Sequence, residues 1–389
     1  MKVFELRTDI DKKLGIVGAG GGIILFIYSI VILKSFTLQE ISLTVFFACI
    51  AYLLCRKKLS SPNALDFSTN RKERRSTLLL LNIIFFGILA IGFIKYTRSA
   101  YQHPFIFLII VSTISGILAA EIFLSNNRFY SAFILVKLLT FGILLRAYPY
   151  YLFPAQPGVD SLYHANFIEQ LLMQGRIPIH TTYESYPAMH IISASISQLT
   201  GLGVKDSFFF ISIIAVLSLA FVFLIGRRLF NEKIGLLSVL ILVASASQIT
   251  LEWWISSMTL GLGLLPMLIF LLWTSHEVGK NLTYRGIMLL VMIVIILTHT
   301  VTSVTVLIVL ALAWIISYLL YRTLGVSARS TQVTSNTLTA LFCIMLLGYW
   351  VYASGFVFHI VRSIKSALTV DRSLVMDVVP LATTQSNVW

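Results

Sequence analysis

The 389-residue chain has little charge and little cysteine. Asp, Glu, Lys and Arg make up 12% of it, against about 25% in soluble domains. Its three cysteines, Cys49, Cys55 and Cys343, lie in or at the edge of apolar runs. They have neither the spacing of a disulfide framework nor that of a metal site. These shortages argue against a soluble domain, a disulfide scaffold and a zinc fold.

What the chain has in quantity is apolar sequence, 58% of all residues. It comes in long blocks, and a helix of about 20 apolar residues crosses the hydrocarbon core of a bilayer. A helix forms its backbone hydrogen bonds internally, which the hydrocarbon core requires. We therefore predict an all-α polytopic membrane protein with about eleven spans. The predicted spans are Leu14–Leu33, Leu38–Cys55, Ser76–Ile94, Pro104–Leu124, Tyr130–Leu145, Ser207–Ile225, Leu236–Thr250, Thr259–Trp273, Gly286–Leu297, Val301–Leu320 and Leu338–Val357.

Charge predicts how the spans are oriented. The formal net charge is +13, and the run Arg56–Arg75 is the densest basic segment. Lys and Arg concentrate in short cytoplasmic loops, so this run and the N-terminus are predicted to be inside. The net positive charge is therefore explained by membrane topology, and we expect no nucleic-acid partner. We expect a multi-pass protein of the plasma membrane of an archaeon or bacterium.

This topology leaves one long connection outside, residues 146–206, and long ordered connections are often functional. Its middle, DSLYHANFIEQLLMQGRIP, predicts a short amphipathic helix with Asp160 as N-cap and Gly175 as the stop. Leu162, Phe167, Leu171 and Leu172 would form its apolar side, lying along the membrane surface. We divide the chain into an N-terminal four-helix block, 1–129, and a core, 130–389.

Asp160 and His164 are four residues apart, so they share a face of this helix. A carboxylate beside an imidazole can bind a divalent metal such as Mg²⁺ or Mn²⁺, or act as a base held by its partner. The alternative is structural, with Asp160 capping the helix and His164 packing at the interface.

Other polar residues fall on the same predicted side of the membrane. Glu252 follows a span and stands beside two tryptophans, and a carboxylate at the hydrocarbon edge needs a partner. Arg side chains could contact a donor phosphate. The remaining candidates for donor or substrate contact are Arg146, Arg176, Glu184, Tyr186, His190 and His299, with His180 a further loop histidine.

The stretches GVDSLYHANFIEQLLMQGRIP and YESYPAMH together resemble the GT-C class of integral membrane glycosyltransferases. The resemblance is to the dolichyl-phosphate-mannose protein mannosyltransferase-like family of archaea and bacteria. It covers Tyr130 to about Ser303 and leaves out the first four spans. It implies an inverting enzyme that moves a sugar from a polyprenyl-phosphate carrier to a protein, lipid or glycan acceptor outside the membrane.

The resemblance also implies roles for residues. Asp160 matches the key aspartate of the first outer loop, and Glu252 lies in the turn that often adds a second acid. The chain departs from the family in having Ser161 after Asp160, where many members have a second acid. We also expect no large outer domain after the last span, in contrast to some members.

Two other functions are open at this stage. A transporter or lipid flippase would place ionisable residues in mid-span, and Glu121 and Lys137 are the candidates. A polymerase or ligase of surface polysaccharide would also use a lipid-linked sugar.

Overall fold

A computed structural model describes residues 16–28, 71–96, 105–125, 127–153, 156–179, 183–278, 282–324 and 336–358, with a few single positions besides. Every regular element in these ranges is helical, and they contain no strand, which confirms the all-α prediction. Most of the predicted span Leu38–Cys55, the basic residues 56–70 and His180 lie outside the described residues.

From residue 71 onward the described part of the chain is mostly helical. A short apolar helix, α1, precedes these helices. Their bounds are α1 Ile16–Tyr28, α2 Arg71–Tyr96, α3 Phe105–Leu124, α4 Arg128–Leu152, α5 Val159–Gln174, α6 Ala188–Thr200, α7 Val204–Leu229, α8 Glu232–Ala244, α9 Ala246–Trp253, α10 Ser257–Val278, α11 Leu282–Ile296, α12 Thr300–Leu324 and α13 Asn336–Gly348, the last continued by a π-helical turn, Tyr349–Ala353.

Three described helices are long and apolar enough to cross a membrane: α4, α7 and the Ser257–Thr274 part of α10. Helices α8 and α9 meet this criterion only together, and they are bent by 60° at Ser245. Shorter apolar segments occur in α1, α2, α3, α11, α12 and α13 with its π turn. These helices are consistent with membrane association, while the total of eleven spans stays a prediction.

Helix α4 continues to Leu152, about two turns past the predicted span end at Leu145. The prediction ended there because Arg146 interrupts the apolar run. In the structure Arg146 is fully buried and paired with an acid, so its charge does not force the chain into water. Pro149 also lies inside α4.

Three apolar clusters hold the helices together. The first joins α2, α3, α4, α7 and α8 around Phe85, Leu118, Leu138 and Val239. The boundary predicted at residue 129 stays a prediction, although α2 and α3 share this core with α4.

The second cluster joins α10 to α13, with Leu268, Met292, Phe342 and Trp350 among its members. The third attaches the long connection to the bundle. In that cluster Ile168 of α5 and Met189 of α6 pack with Tyr150, Phe208 and Ile255. The connection is therefore folded onto the ends of α4, α7 and α10.

Candidate functional site

The start of α5 is fastened to the turn between α9 and α10. Gly158 precedes the helix with φ of +88°, and a Cβ there would lie 1.8 Å from Nε1 of Trp254. Only glycine fits both the backbone angle and the space. Within the first turn of the helix, buried Ser161 donates a hydrogen bond to the carbonyl of Ile255 at 2.8 Å. Both contacts fix where the first turn of α5 lies.

Asp160 lies in that first turn and is exposed. It was predicted as the N-cap, but Gly158 occupies the cap position and makes no side-chain cap bond. The difference arises because Trp254 requires a glycine at the helix entry. The carboxylate is exposed at the positive end of the helix, where a negative charge is stabilised.

The predicted apolar side of α5 is only partly present. Phe167 is buried, and Leu171 and Leu172 pack against the third cluster, whereas Leu162 is half exposed. The helix therefore rests on α6 and α7 rather than presenting all four apolar residues to one surface. It ends at Gly175, whose φ of +64° and N–H bond to Leu171 complete the C-terminal cap.

His164 points into the interior, where its partner is His190 of α6. The ring nitrogens Nδ1 of His164 and Nε2 of His190 are 2.9 Å apart, and the side chains are 1% and 0% exposed. Tyr183 lies against His164 with ring centroids 4.3 Å apart, and Phe167 lies 4.4 Å from His190. Asp160 and His164 are thus one turn apart on the same helix, but the hydrogen bond of His164 is to His190 and not to Asp160.

His299 belongs to the same neighbourhood. The main-chain N–H of Ala188, at the start of α6, donates to the carbonyl of Leu297 at 3.2 Å. This bond brings the turn between α11 and α12 to the base of α6. His299 itself has Nδ1 3.5 Å from Oγ1 of Thr302.

Burial controls the protonation of these histidines. Burial, and then the charge of the nearby His299, together lower the pKa of His164 to about 4. Burial followed by the charge of His164 lowers the pKa of His190 to about 3, and burial lowers the pKa of His299. All three rings are therefore neutral at neutral pH. The pKa of Tyr183 is raised by burial and then by the charge of Asp160.

Glu252 has the partner that its place in the sequence required. Its Oε2 lies 2.6 Å from Nε of Arg146, and both side chains are buried. Gln248, one turn earlier in α9, donates to the other carboxylate oxygen. Arg146 was predicted to contact a phosphate from a loop, but it is inside α4 and engaged with Glu252.

Arg146 also supports the bend between α8 and α9. Its Nη1 donates to the carbonyl of Val243 at 2.7 Å and to that of Gly142 at 3.2 Å. A bent helix leaves carbonyls without their usual partners, and a buried carbonyl needs a donor. Nη2 of Arg146 is buried and has no hydrogen-bond partner among the described residues.

The other predicted residues are not all brought together. Arg176 is exposed and follows the far end of α5, about 20 Å along the helix from Asp160. The side chains of Arg176 and Asp160 are therefore too far apart to contact the same small group. Tyr186 is half buried, with its hydroxyl 3.5 Å from Oγ of Ser354, and Glu184 is exposed nearby in the chain.

A divalent metal was one interpretation of Asp160 and His164. In the described part of the chain, no group of three or more His, Cys, Asp or Glu side chains could hold a metal ion. Nδ1 of His164 is also engaged by His190, while Asp160 is exposed. We therefore derive no chemical step through a metal.

Sequence reasoning missed three features of this region. Tyr183 was not singled out, and His164 and His190 were treated separately because 26 positions separate them. The contact of Gly158 with Trp254 was also missed. No local sequence pattern predicts any of these long-range contacts.

The comparisons add no relative. No protein-family model, curated protein or solved structure matches this chain.

Proposed function

We propose that the chain is a membrane glycosyltransferase that transfers a sugar from a polyprenyl-phosphate carrier to an acceptor hydroxyl on the extracytoplasmic face. One observation carries the proposal: an exposed carboxylate, Asp160, is held by fixed contacts one turn before the buried His164, which is paired with His190, where the long connection meets the ends of apolar helices. A lipid-borne sugar would lie at this level, with its chain in the bilayer. The resemblance of GVDSLYHANF and YESYPAMH to the GT-C class supports the same reading.

In this proposal Asp160 is the base. It removes the proton of the acceptor hydroxyl, whose oxygen forms a bond to the anomeric carbon of the sugar. The bond between that carbon and the phosphate oxygen breaks, and the electron pair leaves with the polyprenyl phosphate. A positioned carboxylate is a common general base for such a proton transfer. Attack opposite the leaving phosphate inverts the anomeric carbon.

The leaving phosphate needs a cation on the Asp160 side of α5. Lys205, at the start of α7, is half buried and donates to the carbonyl of Phe153, whose ring stacks on that of Trp253 at 6.1 Å. Trp253 is followed by Trp254, whose indole lies at Gly158, so these contacts connect Lys205 to the start of α5. We assign the phosphate contact to Lys205 in preference to the distant Arg176.

Glu252 and Arg146 act as positioning residues in this scheme. Their ion pair holds α9 against α4, and α9 is followed by the turn on which Gly158 and Ser161 rest. Glu252 thus helps to hold Asp160 in position.

The test is transfer from dolichyl-phosphate mannose or dolichyl-phosphate glucose in membranes that contain the full chain. We expect Asp160→Asn to lower transfer at least 100-fold, in the range typical of a lost general base. Glu169→Gln is the matched control, because Glu169 is also an exposed acid on α5. Undiminished transfer by Asp160→Asn would remove Asp160 as the base.

One observation favours a transporter as a second candidate. Lys137 of α4 and Glu121 of α3 are buried, with Nζ 2.7 and 2.5 Å from the two carboxylate oxygens. Nζ also lies 3.1 Å from Oδ1 of Asn82 and 4.0 Å from the ring centre of Phe85. Ionisable residues inside spans often mark substrate or ion pathways.

Reconstituted vesicles separate the two functions. Movement of a lipid-linked sugar or a small solute across the vesicle membrane, lost in Lys137→Met and with no glycosyl product, would favour the transporter. Product formation that Lys137→Met leaves intact would favour the transferase.

A further inference from the structure

Basic side chains from three helices meet at one end of the bundle. They are Arg128 at the start of α4, Arg227 and Arg228 in the last turn of α7, and Lys233 in the first turn of α8. The carboxylate among them is that of Glu232, which contacts both Arg128 and Arg227. The group therefore has four positive charges against a single negative one.

Two of these cations are engaged inside the protein, and two are accessible. Nζ of Lys233 donates to a main-chain carbonyl of α3 at 2.9 Å, and the guanidinium of Arg228 lies 5.2 Å from the ring centre of Trp273. The side chains of Arg128 and Arg227, in contrast, are 87% and 47% exposed. A ligand that approaches this end of the bundle therefore meets Arg128 and Arg227.

These two arginines converge on the same atom. Nε of Arg128 and Nη1 of Arg227 are each 4.0 Å from Oε1 of Glu232, so the two nitrogens are no more than about 8 Å apart, twice that distance. A separation of 4.0 Å is too long for a hydrogen bond. Neither guanidinium donates a hydrogen bond to another residue in the described part of the chain. Their N–H groups, five on each side chain, can therefore bind an anion.

Helix dipoles do not account for this grouping. A cation is favoured at the C-terminal end of a helix, which fits Arg227 in α7. Arg128 and Lys233, however, lie in the first turns of α4 and α8, where the helix dipole disfavours a positive charge. A negatively charged partner would offset this repulsion.

Exposed apolar side chains lie next to the arginines in the chain. Phe129 is 80% exposed, and Leu229 and Phe230 are 44% and 45% exposed. Helices α4 and α7 are candidate spans, so their ends would lie at the level of the lipid headgroups. At that level cations meet phosphates and apolar residues enter the acyl region. A small soluble anion would fit the arginines but not these apolar neighbours.

The start of α2 lies at the same end of the bundle. The hydroxyl of Tyr130, in the first turn of α4, is 3.5 Å from the carbonyl of Leu78. Exposed Arg75 is three residues before Leu78, and it closes the basic run that predicts the cytoplasmic side. The cytoplasmic leaflet carries anionic lipids, which attract basic segments.

We propose that Arg128 and Arg227 bind the phosphate of an anionic phospholipid, with Phe129, Leu229 and Phe230 against its acyl chains. Two hydrogen bonds of about 2.8 Å, with a phosphate between them, cover a span of the order that separates the two guanidinium groups. The inference goes beyond the proposed transferase function. Arg128 begins α4, whereas the connection that carries Asp160 follows the end of α4, about 36 Å along the helix.

The test is native mass spectrometry of the full chain released from nanodiscs. The nanodiscs contain equal amounts of phosphatidylglycerol and phosphatidylcholine with the same acyl chains, and only the first has a net negative charge. We expect the chain to retain phosphatidylglycerol in preference. Arg128→Gln and Arg227→Gln should each lower that preference about 5-fold, the effect of one basic residue near an anionic surface. Equal retention of both lipids by the unaltered chain overturns the inference.

Arg176→Gln is the matched control. Arg176 is also an exposed arginine near a helix end, but it follows α5 at the other end of the bundle. Its substitution removes the same charge and should leave the preference nearly unchanged. An equal loss in Arg176→Gln would show a general attraction between charges, and the site at Arg128 and Arg227 would be refuted.

Two soluble anions test whether the ligand is a lipid. Inorganic phosphate and an oligoglutamate peptide are added in turn to the nanodiscs, at an ionic strength matched with chloride. Neither should displace phosphatidylglycerol, because neither has an apolar part for Phe129 and its neighbours. Displacement by phosphate would make this a site for the free anion, and displacement by the peptide would make it a protein-docking site. Either result overturns the assignment to a lipid.

Discussion

At the scale of single residues, Gly158 determines how α5 begins. It gives the chain a backbone angle that other residues rarely adopt, and it leaves room for the indole of Trp254. Asp160 is placed by this contact, two residues later.

Gly158→Ala should therefore destabilise the protein and displace Trp254. Backbone strain of this kind costs about 1–3 kcal/mol, and the contact with the indole adds to it. Thermal unfolding and tryptophan fluorescence measure the two effects. Gly175→Ala is the control, since its φ is also positive but a Cβ there meets nothing within 4 Å. An equal loss in both variants would show that Trp254 contributes nothing.

The buried histidines predict a dependence of stability on pH. The pKa values of His164 and His190 fall from an ordinary value of 6.5 to about 4 and about 3. Between these limits the unfolded chain binds more protons than the folded one. Stability is therefore greatest above pH 6.5 and decreases as the pH falls toward 3.

The part of this window above about pH 5 lies largely clear of ordinary carboxyl titration. We expect the unfolding temperature of the unaltered protein to drop between pH 6.5 and 5. The double variant His164→Asn, His190→Gln should show a flatter profile in that range. Identical profiles would mean that these imidazoles do not carry the effect.

At the scale of elements, the bend between α8 and α9 depends on Arg146 and Glu252. Breaking a buried ion pair by removing one partner costs about 3–5 kcal/mol, because a charge is left uncompensated. Glu252→Leu and Arg146→Met should each show a loss of that size in the free energy of unfolding.

The double variant gives the sharper result. Arg146→Met with Glu252→Leu removes both charges, so it should be more stable than either single variant. It should still fall about 1–3 kcal/mol short of the unaltered protein, because the carbonyl of Val243 loses its donor. Full recovery would mean that Arg146 does not support the bend.

Helix α5 shows what local sequence can predict about an element. Its end at Gly175 follows from the backbone freedom of glycine, and the structure has the helix end there. Its beginning depends on Trp254, a residue 96 positions away from Gly158, and the sequence pattern favoured an Asp160 cap instead. Nothing near Gly158 in the chain signals that contact.

At the scale of the whole molecule, the predicted orientation is open to a direct test. Met173 of α5 and Leu282 of α11 are 77% and 83% exposed, and the charge pattern assigns them to opposite sides. Cysteine is introduced at each position in a chain whose native cysteines are replaced.

We expect an impermeant maleimide to label Met173→Cys in intact cells and Leu282→Cys only after permeabilisation. The expectation follows from the concentration of Lys and Arg on the cytoplasmic side. The reverse pattern would invert the topology and place Asp160 inside, where an extracytoplasmic transferase cannot have its base.

The sequence by itself determined that this protein is helical and apolar enough for a membrane. Those properties are sums over many residues, and no single contact changes them. It also marked Asp160, His164, His190 and Glu252 as residues whose polarity needs an explanation.

Only the tertiary structure decided how these residues are paired. His164 joins His190, Glu252 joins Arg146, and Asp160 stays at the surface. Each pairing links segments of the chain that local periodicity treats separately. Burial removes water as a partner, so each buried polar group takes the partner that packing brings to it.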